Sequence, residues 1–529
     1  MIYRTQRRNV GVLFRYDILT EPWLPVEMTD GAMRGMGLLE ALEHAHEIRA
    51  IRTPSPPSSL GVLRLLIAFV LDALRPETAY DIADLVAVGR FDGEALRSYV
   101  DRCKSEGVSF DLFDESRPFL QSTFPPEDQE TQLAVQIFLE IPAGNNHIHF
   151  RHQYEADHAF TPTQCLMALT QLASFALMYG RSVSMSINGV PPTYFLYGGR
   201  TLFETIALSL VPLSDDDLEG PKVAWRNFEP VPEGGMATGA SVLSGLTAQP
   251  RRVRLIPEAS DGVVVIRRIF YKKGYDYKGL AFPDPHVAYY TNDKGEKRAV
   301  TPREDRALWR DLGTMVSRNA KCMLLDTLEH SLSGLTVRPN AMPLRAFSLV
   351  TRQKGATRAA IEWSEEELPL RAYLIQNRDR AEVFVGMLRL MESGANCLAS
   401  VFRKPLKALR GEKANKKTTG MFACFADEAK LACLARCFGA LNTRFLDALE
   451  EVDITQDEPV RLLRESFASE MKGASLEVFW EYARRVQPGA RALEWQASAE
   501  RSLRAILSKL TKGEKPDETG TSQGDANEA

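Results

Sequence analysis

The chain has 529 residues, with 65 Lys and Arg against 69 Asp and Glu, a formal net charge of −4 and a pI near 6.2. That length predicts two or three domains, and the hydrophobic (44%) and charged (25%) fractions exclude a disordered or fibrous chain. The slightly acidic balance excludes a globally basic nucleic-acid binder, so such a role would have to come from local patches.

In chain order, the opening "MIYRTQRRNVGVLFRYD" is basic, but no apolar segment with a small-residue cleavage site follows it. "GLLEALEHAHEIRAI" (37–51) has helical periodicity. "LGVLRLLIAFVLDAL" (60–74) is the longest apolar run; Arg64 and Asp72 interrupt it and it is too short to span a bilayer, so a buried helix is expected. "GVSFDLFDESRPFLQS" (107–122) reads as a strand, a turn at Asp114–Ser116 and a second short strand. "PTQCLMALTQLASFALM" (162–178) is helical and "GVVVIRRIFY" (262–271) is β-like. Frequent Pro and Gly, without a regular βαβ rhythm, predict an α+β fold: a large irregular mixed domain over 1–365. From about Leu368, four amphipathic stretches separated by Gly, Asn or Asp breaks predict a C-terminal four-helix bundle over 366–512. The polar remainder, 513–529, is expected to be a disordered tail.

Seven cysteines at irregular spacing, with no CxxC pair, point to a reducing compartment and a cytoplasmic location. Cys433 and Cys437, four apart on a helical stretch, read as core thiols, because further metal ligands are missing. The chain lacks a GxxxxGK[ST] loop, GxGxxG, GxSxG and HExxH, which weakens NTPase, dehydrogenase, serine hydrolase and zincin readings.

Three clusters could carry chemistry. His147, His149, His152 and His158 fall in "NNHIHFRHQYEADH". The HxHxxH spacing fits a metal-dependent phosphohydrolase, but Arg151 stands where an aspartate ligand belongs, and a cation beside a metal is electrostatically wrong. A solvated polar loop and an RNA-facing loop remain open for the same residues. "RKPLKALRGEKANKK" sets Arg403, Lys404, Lys407, Arg410, Lys413, Lys416 and Lys417 against one acid, Glu412; it is either a solvated face or a phosphate-tracking patch. "RRIFYKKGYDYKG" interleaves Lys272, Lys273 and Lys278 with Tyr271, Tyr275 and Tyr277, either as a hairpin with a Lys-Lys-Gly tip or as a nucleic-acid contact.

Five segments in order resemble one family. "DILTEPWLPV" (17–26), "FDLFDESRPFLQ" (110–121), "NGVPPTYFLYGGRTLFETIALSL" (188–210), "FPDPH" (282–286) and "LVTRQKGATRAAIEW" (349–363), followed by the bundle, are similar to the CasA-type large subunit of the type I-E CRISPR Cascade complex. The resemblance covers nearly the whole chain. It implies a non-catalytic antiviral defence subunit that reads the protospacer-adjacent motif (PAM) of foreign duplex DNA, helps open the duplex and holds the displaced strand. It also implies contact with the 5′ handle of the CRISPR RNA and with other Cascade subunits, and recruitment of a helicase-nuclease, with no membrane involved. By the same resemblance, Lys273, nine residues before Phe282, enters the minor groove, with Lys272 adjacent. Gln353, Lys354, Gly355 and Ala356 form the motif-reading and wedge loop, and Gly180 is what remains of a glycine-rich reading loop. Phe150, with His149 and Arg151, contacts the RNA handle, and the basic run 403–417 is assigned to the DNA backbone. Cysteine pairs found in some members are missing, so no zinc or other cofactor is expected.

Overall fold

A computed structural model describes residues 14–124, 130–141, 158–177, 185–292, 294–304, 306–335, 341–354, 357–408, 416–485 and 490–511. The chain divides into two compact units, 1–315 with 319–372, and 316–318 with 373–529. The division falls at 372/373, beyond the 365/366 boundary expected from sequence, because the last long strand continues to Arg371.

The first unit is built around the helix Pro56–Leu74. Ser55 caps it by accepting a hydrogen bond from the Ser58 N–H, and proline occupies its first turn, where the missing donor costs nothing. The helix is long and apolar enough to cross a membrane, yet 83% of its apolar window is buried within the protein. It packs against the helix Pro162–Phe175, which begins with a Thr161/Gln164 capping box. Gly61 sets their approach, since a Cβ there would lie 2.6 Å from Thr170 Oγ1. The two charges that interrupt the apolar run are both buried and paired. Asp72 accepts from Arg226 NH1 (3.0 Å) and from the Tyr99 hydroxyl (2.7 Å). Arg64 forms a two-pronged pair with Asp284, at 2.9 and 2.8 Å.

The described strands of this unit form four three-stranded sheets. Leu24–Met28 (β1) pairs with Met33–Met36 (β2) and Ile48–Ile51 (β3). Gln132–Leu133 (β4) and Arg251–Ser260 (β6) flank Val263–Lys273 (β7). Tyr194–Tyr197 (β5) pairs with the long hairpin Ala341–Lys354 (β11) and Thr357–Arg371 (β12). Tyr289–Thr291 (β8) lies between Lys297–Ala299 (β9) and Ala320–Lys321 (β10). The β6–β7 turn is Asp261-Gly262, with φ of +53° and +80°, the left-handed pair that matches the twist of a two-residue hairpin.

Two sequence expectations are corrected. The helical reading of 37–51 holds only for Leu38–Glu43, after which Ile48–Ile51 is a strand whose end residues are buried and which pairs with β1. The segment 107–122 contains no strand. Asp111 forms a single bridge with Asp17, and its Oδ1 accepts from the Tyr16 and Phe113 N–H groups. Asp114 Oδ1 accepts from Ser116 and Arg117 N–H. These carboxylates satisfy backbone donors that a ladder would otherwise use, so a run of turns replaces the two strands. Phe110 and Phe119 are buried in a ring cluster with Phe69 and Trp225.

In the second unit, the helices Arg378–Ala408, Lys416–Ala440, Asp457–Ala483 and Ala490–Thr511 pack on one another, the first touching the other three. Phe402, Phe479 and Trp495 form a ring cluster in the core. Gly394 lets Met471 approach, because a Cβ would lie 2.2 Å from its sulfur. The second predicted segment is divided by a π-turn at Leu441–Phe445, with Leu446–Glu451 as a separate short helix. Cys433 and Cys437 are buried, and Cys433 Sγ lies 3.4 Å from Ser475 Oγ.

Candidate nucleic-acid interface

"FPDPH" is the anchor from which the expected reading lysine is counted, and it lies in the core. Phe282 packs over Gly245, where a Cβ would fall 2.1 Å from the ring. Asp284 takes both prongs of Arg64 and a third hydrogen bond from Asn188 Nδ2 (2.8 Å). His286 lies with Nε2 2.9 Å from the Ser209 carbonyl oxygen and Nδ1 3.4 Å from Arg64 NH1. Burial first, then the Arg64 charge, push the imidazole down to about 4, against the pull of Asp284. Burial would raise the Asp284 carboxyl, but the Arg64 guanidinium outweighs it and holds it below the usual range. This segment is a rigid internal support.

Lys272 and Lys273 stand at the far end of β7 from the Asp261-Gly262 turn, opposite Arg252 and Arg251. The Lys-Lys-Gly stretch is therefore no hairpin tip. It is the point at which the strand leaves the sheet, and Gly274 is needed there because a Cβ would meet the Gln249 carbonyl oxygen at 2.3 Å. The tyrosines around it turn inward: Tyr271 OH accepts from Arg251 Nε (2.7 Å) and Tyr277 OH from the Gln249 N–H (2.9 Å). Lys273 Nζ donates to Asp276 Oδ2 at 2.9 Å with its side chain about one-quarter exposed. Burial would raise the Asp276 carboxyl; the hydrogen bond and charge of Lys273 hold it below the usual carboxylate range. The Lys273 stem rests on Gly234, whose φ is +67° and whose added Cβ would sit 3.1 Å from Lys273 Cδ. Lys272 Nζ lies 3.5 Å from Glu233 Oε2.

The loop 232–237 that supplies Glu233 and Gly234 is held by three backbone hydrogen bonds, Gly234 N–H to Gly274 O, Asp276 N–H to Gly235 O and Ala237 N–H to Asp276 O. Sequence reading missed this loop and Arg252. The alternation of basic residues in "RRVR" and "RRIFYKK" on paired strands was the available signal for Arg252; nothing local to "PEGGMATG" announces its destination.

Gln353 and Lys354 are the last residues of β11, paired with Arg358 and Thr357 of β12, and Gln353 is exposed. Gly355 and Ala356 lie outside the described residues, as do Gly180, His149, Phe150, Arg151, His147 and His152. His158 packs against the Phe160 ring, with centroids 4.4 Å apart. Among the described residues no group of three His, Cys, Asp or Glu side chains is placed to hold a metal.

In the bundle unit, Arg403 is exposed on the first helix and pairs with Asp427 of the second at 2.5 Å, an acid that the linear run does not contain. Lys404 and Lys407 lie on the last turns of the first helix, and Lys416 and Lys417 open the second. Arg410 and Lys413, between them, lie outside the described residues.

The sequence model of the family described as CRISPR-associated protein Cse1 matches residues 17–478. A curated Thermus thermophilus protein, CRISPR-associated protein CasA/Cse1, is 29% identical over 519 residues, covering 95% of this chain and 99% of that one. The crystal structure of Thermus thermophilus CasA superposes with a TM-score of 0.73 at 25% identity, over 94% of this chain and 100% of that one. A chain in a structure titled CRISPR RNA-guided surveillance complex shares the fold, with a TM-score of 0.70 at 18% identity, over 93% and 99% of the two chains.

Proposed function

The chain belongs to the CRISPR-associated Cse1 family, and on that premise we propose that it is the large subunit of an RNA-guided surveillance complex that recognises the PAM in foreign duplex DNA. In this reading it helps open the duplex, contacts the 5′ handle of the CRISPR RNA through Phe150, His149 and Arg151, and presents a surface to a helicase-nuclease. It performs no hydrolysis itself. The observation that carries the reading is Lys273. It stands at the end of β7, where the strand leaves the sheet at Gly274, held by Asp276 and backed by Gly234. A lysine fixed in this way offers a donor to the degenerate acceptor pattern of a minor groove, so several related motifs are tolerated. Gln353 and Lys354, with Gly355, Ala356 and Gly180, supply the second reading arm, and Gln353 is the wedge. The cations from Arg403 to Lys417 follow phosphates without reading bases.

The test is competition binding of assembled complex to target duplexes with preferred and scrambled flanking motifs. Lys273→Ala should lose about 1–3 kcal/mol of motif-dependent binding, the scale of one base contact, and less on scrambled duplex. Neutralising Lys413, Lys416 and Lys417 should weaken both duplexes equally and lower the salt slope by roughly one unit per lost phosphate contact. Equal losses on both duplexes would reduce Lys273 to a phosphate contact, and no loss on either would remove it from the site.

A further inference from the structure

Arg252 and Lys272 are directly opposed across the β6–β7 ladder, and like charges so placed repel unless an anion sits between them. Among the described residues, the Glu233 carboxylate lies near both cations. Glu233 Oε2 lies 3.5 Å from Lys272 Nζ and 3.9 Å from Arg252 NH1, and the Glu233 side chain is about half exposed, at 55%. The guanidinium of Arg252 is fixed in place. It lies over the Phe124 ring at 4.7 Å and donates from NH2 to the Thr123 carbonyl oxygen at 2.9 Å. Its Nε is buried with no hydrogen-bond partner among the described residues. A preorganised arginine fork and a lysine, both within 4 Å of one oxygen of a half-exposed carboxylate and at ion-pair rather than hydrogen-bond distance, match the needs of a phosphate better than those of a carboxylate.

We infer that Arg252 and Lys272 form a two-cation site for a nucleic-acid phosphodiester, and that Glu233 occupies this site in the free protein and is displaced when the phosphodiester binds. The inference rests on reading this strand end as a nucleic-acid interface, and it adds Arg252 as a contact and Glu233 as its internal competitor. Because Glu233 is carried on a loop that backbone hydrogen bonds at Gly234, Gly235 and Ala237 hold, its side chain can swing out without breaking the ladder. Glu233 thereby lowers affinity for arbitrary polyanions and leaves discrimination to the neighbouring Lys273.

The experiment measures binding of the full chain to three random-sequence probes of equal length, duplex DNA, single-stranded DNA and single-stranded RNA, across a salt series. Glu233→Gln should tighten binding about two- to fivefold, the scale of removing one exposed ion-pair competitor. Arg252→Gln should weaken it about tenfold and lower the log–log salt slope by roughly one unit. Arg252→Lys, which keeps the charge and loses the fork, should retain the slope, and it serves as the control if Arg252→Gln unfolds in a thermal melt. With Arg252 and Lys272 both changed to Gln, Glu233→Gln should gain less than about twofold, since the site it guards is gone. Equal gains on all probes assign the site to the shared phosphodiester, and a gain on one probe assigns it to that nucleic acid. If Glu233→Gln leaves all three affinities unchanged, or gains equally without the two cations, the inference is overturned. The probes carry no motif, so a failure of Lys273 to discriminate PAMs would leave this result standing, and the converse also holds.

Discussion

Replacing Arg64 with methionine should cost the first unit about 3–5 kcal/mol, the largest single-residue loss expected in this protein. Arg64 is 1% exposed and Asp284 is equally buried, so their attraction is little screened and their desolvation is already complete. Removing the guanidinium leaves the Asp284 carboxylate with Asn188 and backbone donors only, as an uncompensated charge in a core that holds Tyr194 and His286. The harm comes from the orphaned anion more than from a lost attraction, and this separates two outcomes. Arg64→Met should be severe, and Arg64→Met combined with Asp284→Leu should recover much of the loss, because an apolar pair of similar volume avoids the desolvation cost. Because the chain has two units, a single unfolding free energy is ill-defined, and the opening free energy of the Pro56–Leu74 amides by hydrogen exchange is the suitable readout. A loss below about 1 kcal/mol, or no recovery in the double variant, would show that the pair is not what anchors "FPDPH".

Acid should destabilise the same unit through His286. Its folded imidazole is held at about 4, while the unfolded reference is 6.5. Below 6.5 the unfolded chain therefore binds a proton that the native state refuses, so the stabilising contribution is complete above that value and is lost as pH falls toward 4. Over that window the loss is about 3 kcal/mol, at 1.36 kcal/mol per unit. Asp284 acts in the same direction at lower pH, because its carboxyl is held below the usual range and must be protonated against Arg64. Opening free energies measured between pH 7.5 and 4.5 should fall in the native protein and fall much less in His286→Gln. Parallel profiles for the two proteins would mean that His286 does not titrate on unfolding as described.

The buried helix 60–74, the β-run 262–271 and the succession of bundle helices were legible in sequence because each follows from period and apolar content alone. The segment 107–122 was not, since its alternation of Phe and Leu with Asp looks the same whether the carboxylates face solvent or cap turns. The fate of Arg64 and Asp72 was half legible. Their presence in an apolar run argued against a membrane, but their partners Asp284 and Arg226 are 220 and 154 residues away. The site shows the same division. The Lys272-Lys273-Gly274 stretch stood out by its lysines interleaved with tyrosines and by the family resemblance, whereas the loop that supplies Glu233 and Gly234 is brought there only by the tertiary fold.

The most direct test of the central claim is to assemble the CRISPR RNA-loaded complex with and without this chain and select from a library of matched target duplexes whose flanking bases are randomised. The account predicts that complex containing the chain enriches a short flanking motif, that omission of the chain abolishes the enrichment, and that Lys273→Ala flattens it. Equal enrichment with and without the chain would contradict the assignment of motif recognition to this protein.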